Sequence, residues 1–317
     1  MLSLMNSFVR VTRHICVTLF VSACVFIARG AEIDTARIEA ITGLKGAMNK
    51  DEGVFKVSAP RKDVSIQVDG WKMPPFMGLT SWAAFKSGGS APAMVMGDFV
   101  LFEDEVNSVI STAQEKGLSV TALHNHFFFD QPKVFFMHIE GEGTAEDLAV
   151  GVKAMLDTEG KIRAAHPEPQ KQFSAQAMPD KNAISVEPLQ AILGGKPQQN
   201  SGMVKFVIGR EVTMECGCPA AGEMGVNTWA AFAGADDNAL VDGDFAVAEK
   251  ELQPALKALR AGGINIVAIH HHMTGETPRI LFFHYWGRGS AADLAKSLKA
   301  GLDAVALAAK AGEVPAK

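Results

Sequence analysis

The residues in this chain best suited to chemistry are its histidines. Nine occur in the sequence, and six of them form three pairs at a fixed offset of 146 residues: His124 with His270, His126 with His272, and His138 with His284. Side chains alternate faces along a strand, so His124 and His126 share a face, as do His270 and His272. A chain reversal centred on Pro132 sets His138 opposite His126, and one centred on Pro278 sets His284 opposite His272. Cross-strand Cβ atoms lie about 4.5–5.5 Å apart, and residues two apart on one strand about 7 Å. Three imidazoles so placed can close on one ion at about 2.0–2.1 Å per zinc–nitrogen bond. The α-type carbonic anhydrases hold zinc with a similar ligand geometry, an analogy that says nothing about the reaction.

Val120, Ala122, Val134 and Phe136 share the face of the first trio by parity. Apolar burial disfavours imidazolium and keeps histidine neutral, the form that ligates metals. Three histidines leave at least one coordination position open. Glu140 has the parity to fill it in the first half, whereas its counterpart Trp286 cannot. Glu103 and Glu249 match across the repeat and are further candidates for a fourth ligand or for an outer partner. A lone histidine is most often a hydrogen-bonded core or surface residue. Three on one face, kept twice, favour a transition metal, zinc or copper first.

Cys216 and Cys218, flanked by Met214 and Met224, occur only in the second half. Such a set suits a soft ion such as Cu(I), or equally a tight disulfide in an oxidising compartment. Glu105 and Glu251 read as acids at helix starts, favoured by the N-terminal dipole. Trp82 and Trp229 read as core aromatics, and Asp98 and Asp244 as turn or bulge residues. Nucleophile-elbow, P-loop, HExxH and dinucleotide-binding motifs are all missing from the sequence. No nucleophile or general base stands out, so an enzymatic role stays open.

Positioning two such trios takes a duplicated unit. Ala122–Gly143 lies over Ala268–Gly289 without a gap, with eight of 22 positions identical. The match extends to Gly97–Val106 over Gly243–Leu252, Ser81–Phe85 over Thr228–Phe232, and Thr144–Leu156 over Ser290–Leu302. Repeats at this level set the architecture: a first unit over 31–160, a Pro- and Gln-rich linker over 161–181, and a second unit over 182–317. Each unit reads as helix, short strands, strand, helix, strand, strand, helix. The first helix follows Asp34, and the segments 54–60 and 64–70 look like a hairpin about Arg61-Lys62-Asp63. Strands joined by short turns predict an α+β fold, an antiparallel sheet with helices packed on it. The two halves are expected to pair about a pseudo-twofold axis.

Ahead of these units, Arg10 and Arg13 precede an apolar run from Ile15 to Ala28, with small residues at Ala28 and Gly30. That is the pattern of a signal peptide over 1–30, too short for a membrane span. A competing lipoprotein reading makes Cys24, after Val21-Ser22-Ala23, a lipidated start; the apolar residues that follow it favour soluble export to the periplasm or cell envelope. No later stretch is long and apolar enough to span a membrane. The chain is 317 residues, 48% hydrophobic and 21% charged, with a net charge of −5. That balance supplies a large core and gives no basic footprint for nucleic acid.

The sequence resembles the LppY/LpqO family of bacterial exported proteins. The resemblance rests on Pro60-Arg61-Lys62-Asp63, on Ser81-Trp82 with Phe85, and on the block from His124 to Gly143 with Leu148 after it. It covers nearly all of the chain after residue 30 and implies an exported, duplicated domain. For some members it also implies binding of peptidoglycan, so a module for a cell-wall fragment or small ligand stands beside the metal reading.

Overall fold

The computed structural model describes residues 33–173 and 176–311. The expected signal peptide and Cys24 lie outside the described residues. The first half runs α1 (Thr35–Thr42), β1 (Gly46–Asn49), β2 (Val54–Pro60), β3 (Gln67–Val68), β4 (Trp71–Lys72), β5 (Thr80–Ser87), β6 (Ala93–Phe102), α2 (Glu103–Glu115), β7 (Ser119–His124), β8 (Asp130–Gln131), β9 (Val134–Gly143) and α3 (Ala145–Ala165). The second runs α4 (Val186–Leu193), β10 (Gln198–Asn200), β11 (Met203–Gly209), β12 (Val212–Thr213), β13 (Pro219–Ala220), β14 (Asn227–Ala235), β15 (Asn238–Ala248), α5 (Glu249–Ala261), β16 (Asn265–His270), β17 (Ile280–Gly289) and α6 (Ala291–Ala311).

Twelve strands join one antiparallel sheet in the order β1-β2-β5-β6-β9-β7-β16-β17-β15-β14-β11-β10. Its second half is the first in reverse, so the duplicated α+β unit is arranged about a pseudo-twofold axis at the β7–β16 seam. Alternating burial along β5 and β14 sends Ala83, Phe85, Ala230 and Phe232 to the helix side. There they join Val109, Ile110, Leu256 and Leu259 in one continuous core. Burial of this apolar layer drives the fold. The opposite face carries two small patches, one under β3-β4-β8 and one under β12-β13, and is otherwise open.

The seam itself pairs Leu123 with Ile269. Two equivalent side chains clasp it. The Asn107 amide donates to Ile266 O at 3.1 Å and accepts from Ile266 N at 2.7 Å. Gln253, its counterpart, donates to Val120 O at 2.7 Å and accepts from Val120 N at 3.1 Å. Each replaces a ladder bond that the backbone does not make there.

Segment 64–70 does not form a hairpin with 54–60. Strand β2 pairs instead with β1 and β5, while β3 turns away to pair with β4 and β8. The reason is Arg61, whose buried guanidinium holds the chain at the reversal. It donates to both oxygens of Glu105 at 2.8 and 2.9 Å, to Asp63, and to Val100 O at 2.8 Å. Glu105 also accepts from Phe102 N at 2.9 Å, closing the start of α2. Arg210, Glu251 and Ala248 repeat the arrangement in the second half.

Glu159 and Arg163 on α3 enlarge the first cluster only. Burial, reinforced by the nearby Glu105 and opposed by Arg61, pushes the Glu159 carboxyl up to about 8. Its folded value therefore lies above the unfolded value of about 4.3. Stability from the bound proton is complete below about pH 4 and is lost as pH rises toward 8. Glu159→Gln should match the wild type at pH 4 and exceed it by roughly 1–3 kcal/mol at pH 8 in urea unfolding. A gap that does not change with pH contradicts this assignment.

Candidate metal centre

Strands β7 and β9 carry the first histidine trio, and β16 and β17 the second. The register differs from the one expected. His138 pairs with Ala122 and His124 with Phe136, so the reversal is centred on residue 130 and not on Pro132. His284 likewise pairs with Ala268 and His270 with Phe282. The connecting loop sets the shift, because it is wide: Asp130 accepts from Val134 N at 2.6 Å, and Glu276 from Ile280 N at 3.0 Å. A bulge farther along each strand, between Val120 and Ala122 and between Ile266 and Ala268, moves the register once more beyond the histidines. His126 and His272 therefore lie in loops beyond the strand ends.

The loops bring them back. His126 stacks on Phe136 at a centroid distance of 3.4 Å, and His272 on Phe282 at 3.6 Å. His126 then lies 5.1 Å from His124, and His124 lies 5.2 Å from His138, ring to ring. In the second half His270 lies 5.0 Å from His272 and 4.7 Å from His284. Nε2 atoms face each other at 3.1 Å in both halves, between His124 and His138 and between His270 and His272. Two nitrogens sharing a tetrahedral zinc stand roughly 3.3 Å apart, given bonds of about 2.0–2.1 Å. Nδ1 of His124 lies 3.4 Å from Asn125 O, and Nδ1 of His284 lies 3.4 Å from Gly243 O. A proton held on that side leaves Nε2 free to ligate.

Two aspartates complete the group, and they lie in strands where their Gly-Asp sequence predicts turns. Asp98 lies within β6 opposite His138, and Asp244 within β15 opposite His284. Both are buried, and burial pushes both carboxyls up despite the histidines nearby. Asp244 Oδ2 stands 3.1 Å from His272 Nε2. Oδ1 of each aspartate has no hydrogen-bond partner among the described residues. A buried carboxylate oxygen left orphaned costs free energy unless a cation meets it. One donor atom each from Asp244, His270 and His284 lies within 4.8 Å of the others, a set able to hold an ion. Burial, followed by the fields of His284 and His272, holds His270 down to about 4, so it is neutral and competent to ligate at pH 7. His126 is lowered too, by burial and then by His124.

The glutamates make other contacts. Glu140 is exposed opposite Met96 and Ser119, two residues along β9 from His138 and on the same face. Glu103 lines a cleft of about 790 Å³ with Pro132 and Lys133, and Glu249 pairs with Arg279 at 3.7 Å. Both start helices. Cys216 and Cys218 are exposed free thiols in the turn between β12 and β13. That turn is tied to the His272 loop by Thr213–Thr277 backbone bonds of 2.8 and 2.9 Å. Trp82 and Trp229 are not core residues. They lie half-exposed on the open face opposite Asp98 and Asp244, beneath Lys56 at 4.0 Å and Lys205 at 4.4 Å.

A family model described as Domain of Unknown Function (DUF1259) matches the chain twice, over residues 36–158 and 187–304. The chain belongs to that family. Each DUF1259 region of the protein contains one complete set of three histidines and an aspartate. No curated protein is similar to the chain. A trimeric bacterial microcompartment shell protein, PduB, aligns over 86% of this chain and 95% of its own at 11% identity, with a TM-score of 0.19. A likeness that loose carries no argument.

Proposed function

We propose that this DUF1259 protein is an exported protein of the periplasm or cell envelope, of the LppY/LpqO kind, that binds a transition metal in each half. The ligands are His124, His126 and His138 with Asp98, and His270, His272 and His284 with Asp244. Zinc or copper fits best, since imidazole suits both ions. Residues 1–30 are its signal peptide, and 31–160 and 182–317 its two units. The observation that carries the reading is the orphaned aspartate oxygen beside converging imidazoles, present at equivalent positions of both halves. A cation there satisfies the carboxylate and the facing nitrogens together. Where the aspartate orients a histidine, the position left open on the ion suits Lewis-acid chemistry on bound water.

A second reading draws on Phe76, Phe128, Phe129 and Trp71, which are 96%, 85%, 78% and 56% exposed around the first-half loops. Exposed aromatics of this kind suit a cell-wall fragment or another small ligand docked without metal. Elemental analysis separates the two. The mature chain, purified without a polyhistidine tag, exposed to Zn, Cu, Fe and Mn and then desalted, should retain about one ion per half. Metal-free protein after that exposure overturns the metal reading.

A further inference from the structure

The seam puts both centres on one surface. Leu123 and Ile269 pair across it and point into the helix-side core. One residue on, His124 stands opposite Ala268, and His270 opposite Ala122. The neighbouring registers extend these pairs into two parallel rows running across the strands. One row reads Trp82, Asp98, His138, Ala122, His270. The other reads Trp229, Asp244, His284, Ala268, His124. All ten residues face the open side of the sheet. Between the two histidine groups only alanine methyls rise from the floor, and Lys56 and Lys205 cover the tryptophans at the outer ends.

Strands in a sheet lie about 4.8 Å apart, so ions held by the two trios stand two to three strand widths apart, roughly 10–14 Å. That is too far for one bridging atom, which joins metals about 3.5–4 Å apart. It is close enough for one elongated molecule to reach both. Each centre combines a dication with one carboxylate and three neutral imidazoles and so carries net positive charge, and a lysine lies beyond each. We infer that the two centres form a single composite site for an elongated anion with an oxyanion group at each end, one end on each metal. The shared chemistry is the pair of terminal oxyanions, whether carboxylate or phosphate. The inference rests on the metal reading and adds the class of ligand.

Linking two weak contacts makes the second intramolecular, which raises affinity without new interactions when the span fits. The test uses zinc-loaded, full-length mature protein whose content of two ions has first been verified. Linear α,ω-dicarboxylates from succinate to suberate are titrated by calorimetry beside monocarboxylates of the same length. The expected result is an affinity maximum at one chain length, at least about tenfold above the matching monocarboxylate. His270→Ala with His272→Ala, keeping one ion, should flatten that maximum to the monocarboxylate level. A flat length profile on doubly loaded protein overturns the composite site and leaves metal binding intact. Protein that holds no zinc overturns the reading beneath both.

Discussion

Replacing His270 and His272 together by alanine is expected to release one of two bound ions and leave the other in place. The surviving donors of the second half, His284 and Asp244, stand 4.0 Å apart at their closest atoms and supply one nitrogen between them. Partners that only orient ligands are already worth about 10–100-fold in affinity. Loss of two direct donors should therefore weaken this site by at least about a thousandfold in competition with a chromophoric chelator. The ligand-induced rise in stability should fall with it: an ion at 100 times its Kd contributes about 2.7 kcal/mol, and the variant forfeits that contribution from one half. Asp244→Asn should cost less, about 10–100-fold, because it keeps all three imidazoles. Glu249→Ala should leave stoichiometry and affinity unchanged, since its carboxylate is directed to Arg279 at 3.7 Å. If Glu249→Ala removes an ion while the double histidine variant keeps both, the centre lies somewhere other than β16 and β17.

The sequence made some of this legible for a physical reason. Duplication exposes itself because the same side chains must recur at one offset, and with it come the α+β architecture and the recurrence of the three histidines. Register was hidden. A proline suggests the middle of a tight reversal, yet the wide loop is set by Asp130 and Glu276 capping the strands that follow, and no periodicity announces a carboxylate doing that. Bulges beside Thr121 and Val267 are equally silent. Asp98 and Asp244 resemble turn residues in the sequence because Gly-Asp is a common turn pair. Here Gly97 and Gly243 sit mid-strand, where an added Cβ would meet a backbone oxygen, Trp82 O at 2.8 Å and Trp229 O at 2.2 Å. The glycine serves close packing, and its neighbour is a strand aspartate. Both aspartates recur at the histidine offset, so the repeat did contain the signal. Hydrophobicity alone predicts Trp82 and Trp229 in the core, whereas strand parity places them beside those aspartates.

Arg61 gives the largest stability effect, with a control inside the same chain. Its guanidinium is 4% exposed and meets Glu105, which is fully buried, together with Glu159 and Asp63. Removing one partner of a buried pair leaves an uncompensated charge and typically costs about 3–5 kcal/mol. Arg61→Leu should fall in that range in urea unfolding, moderated by Arg163, whose Nε stands 2.8 Å from Glu105 Oε1. Arg210 performs the equivalent task toward Glu251 and Ala246 O, but its side chain is 26% exposed and, among the described residues, no second arginine or acid joins it. Water can reach the vacated position there, so Arg210→Leu should cost roughly 1–3 kcal/mol. The difference between the variants reports what deeper burial and the extra partners Asp63 and Glu159 add together, because backbone path and capped helix are alike in the two halves. Equal losses would mean that burial and those extra partners contribute nothing net. The same substitution tests the folding of the site: Arg61 holds β3 where it pairs with β8, and β8 terminates the loop carrying His126. Arg61→Leu protein that remains folded should therefore bind its first-half ion more weakly while the second-half ion is unaffected, read by the same chelator competition.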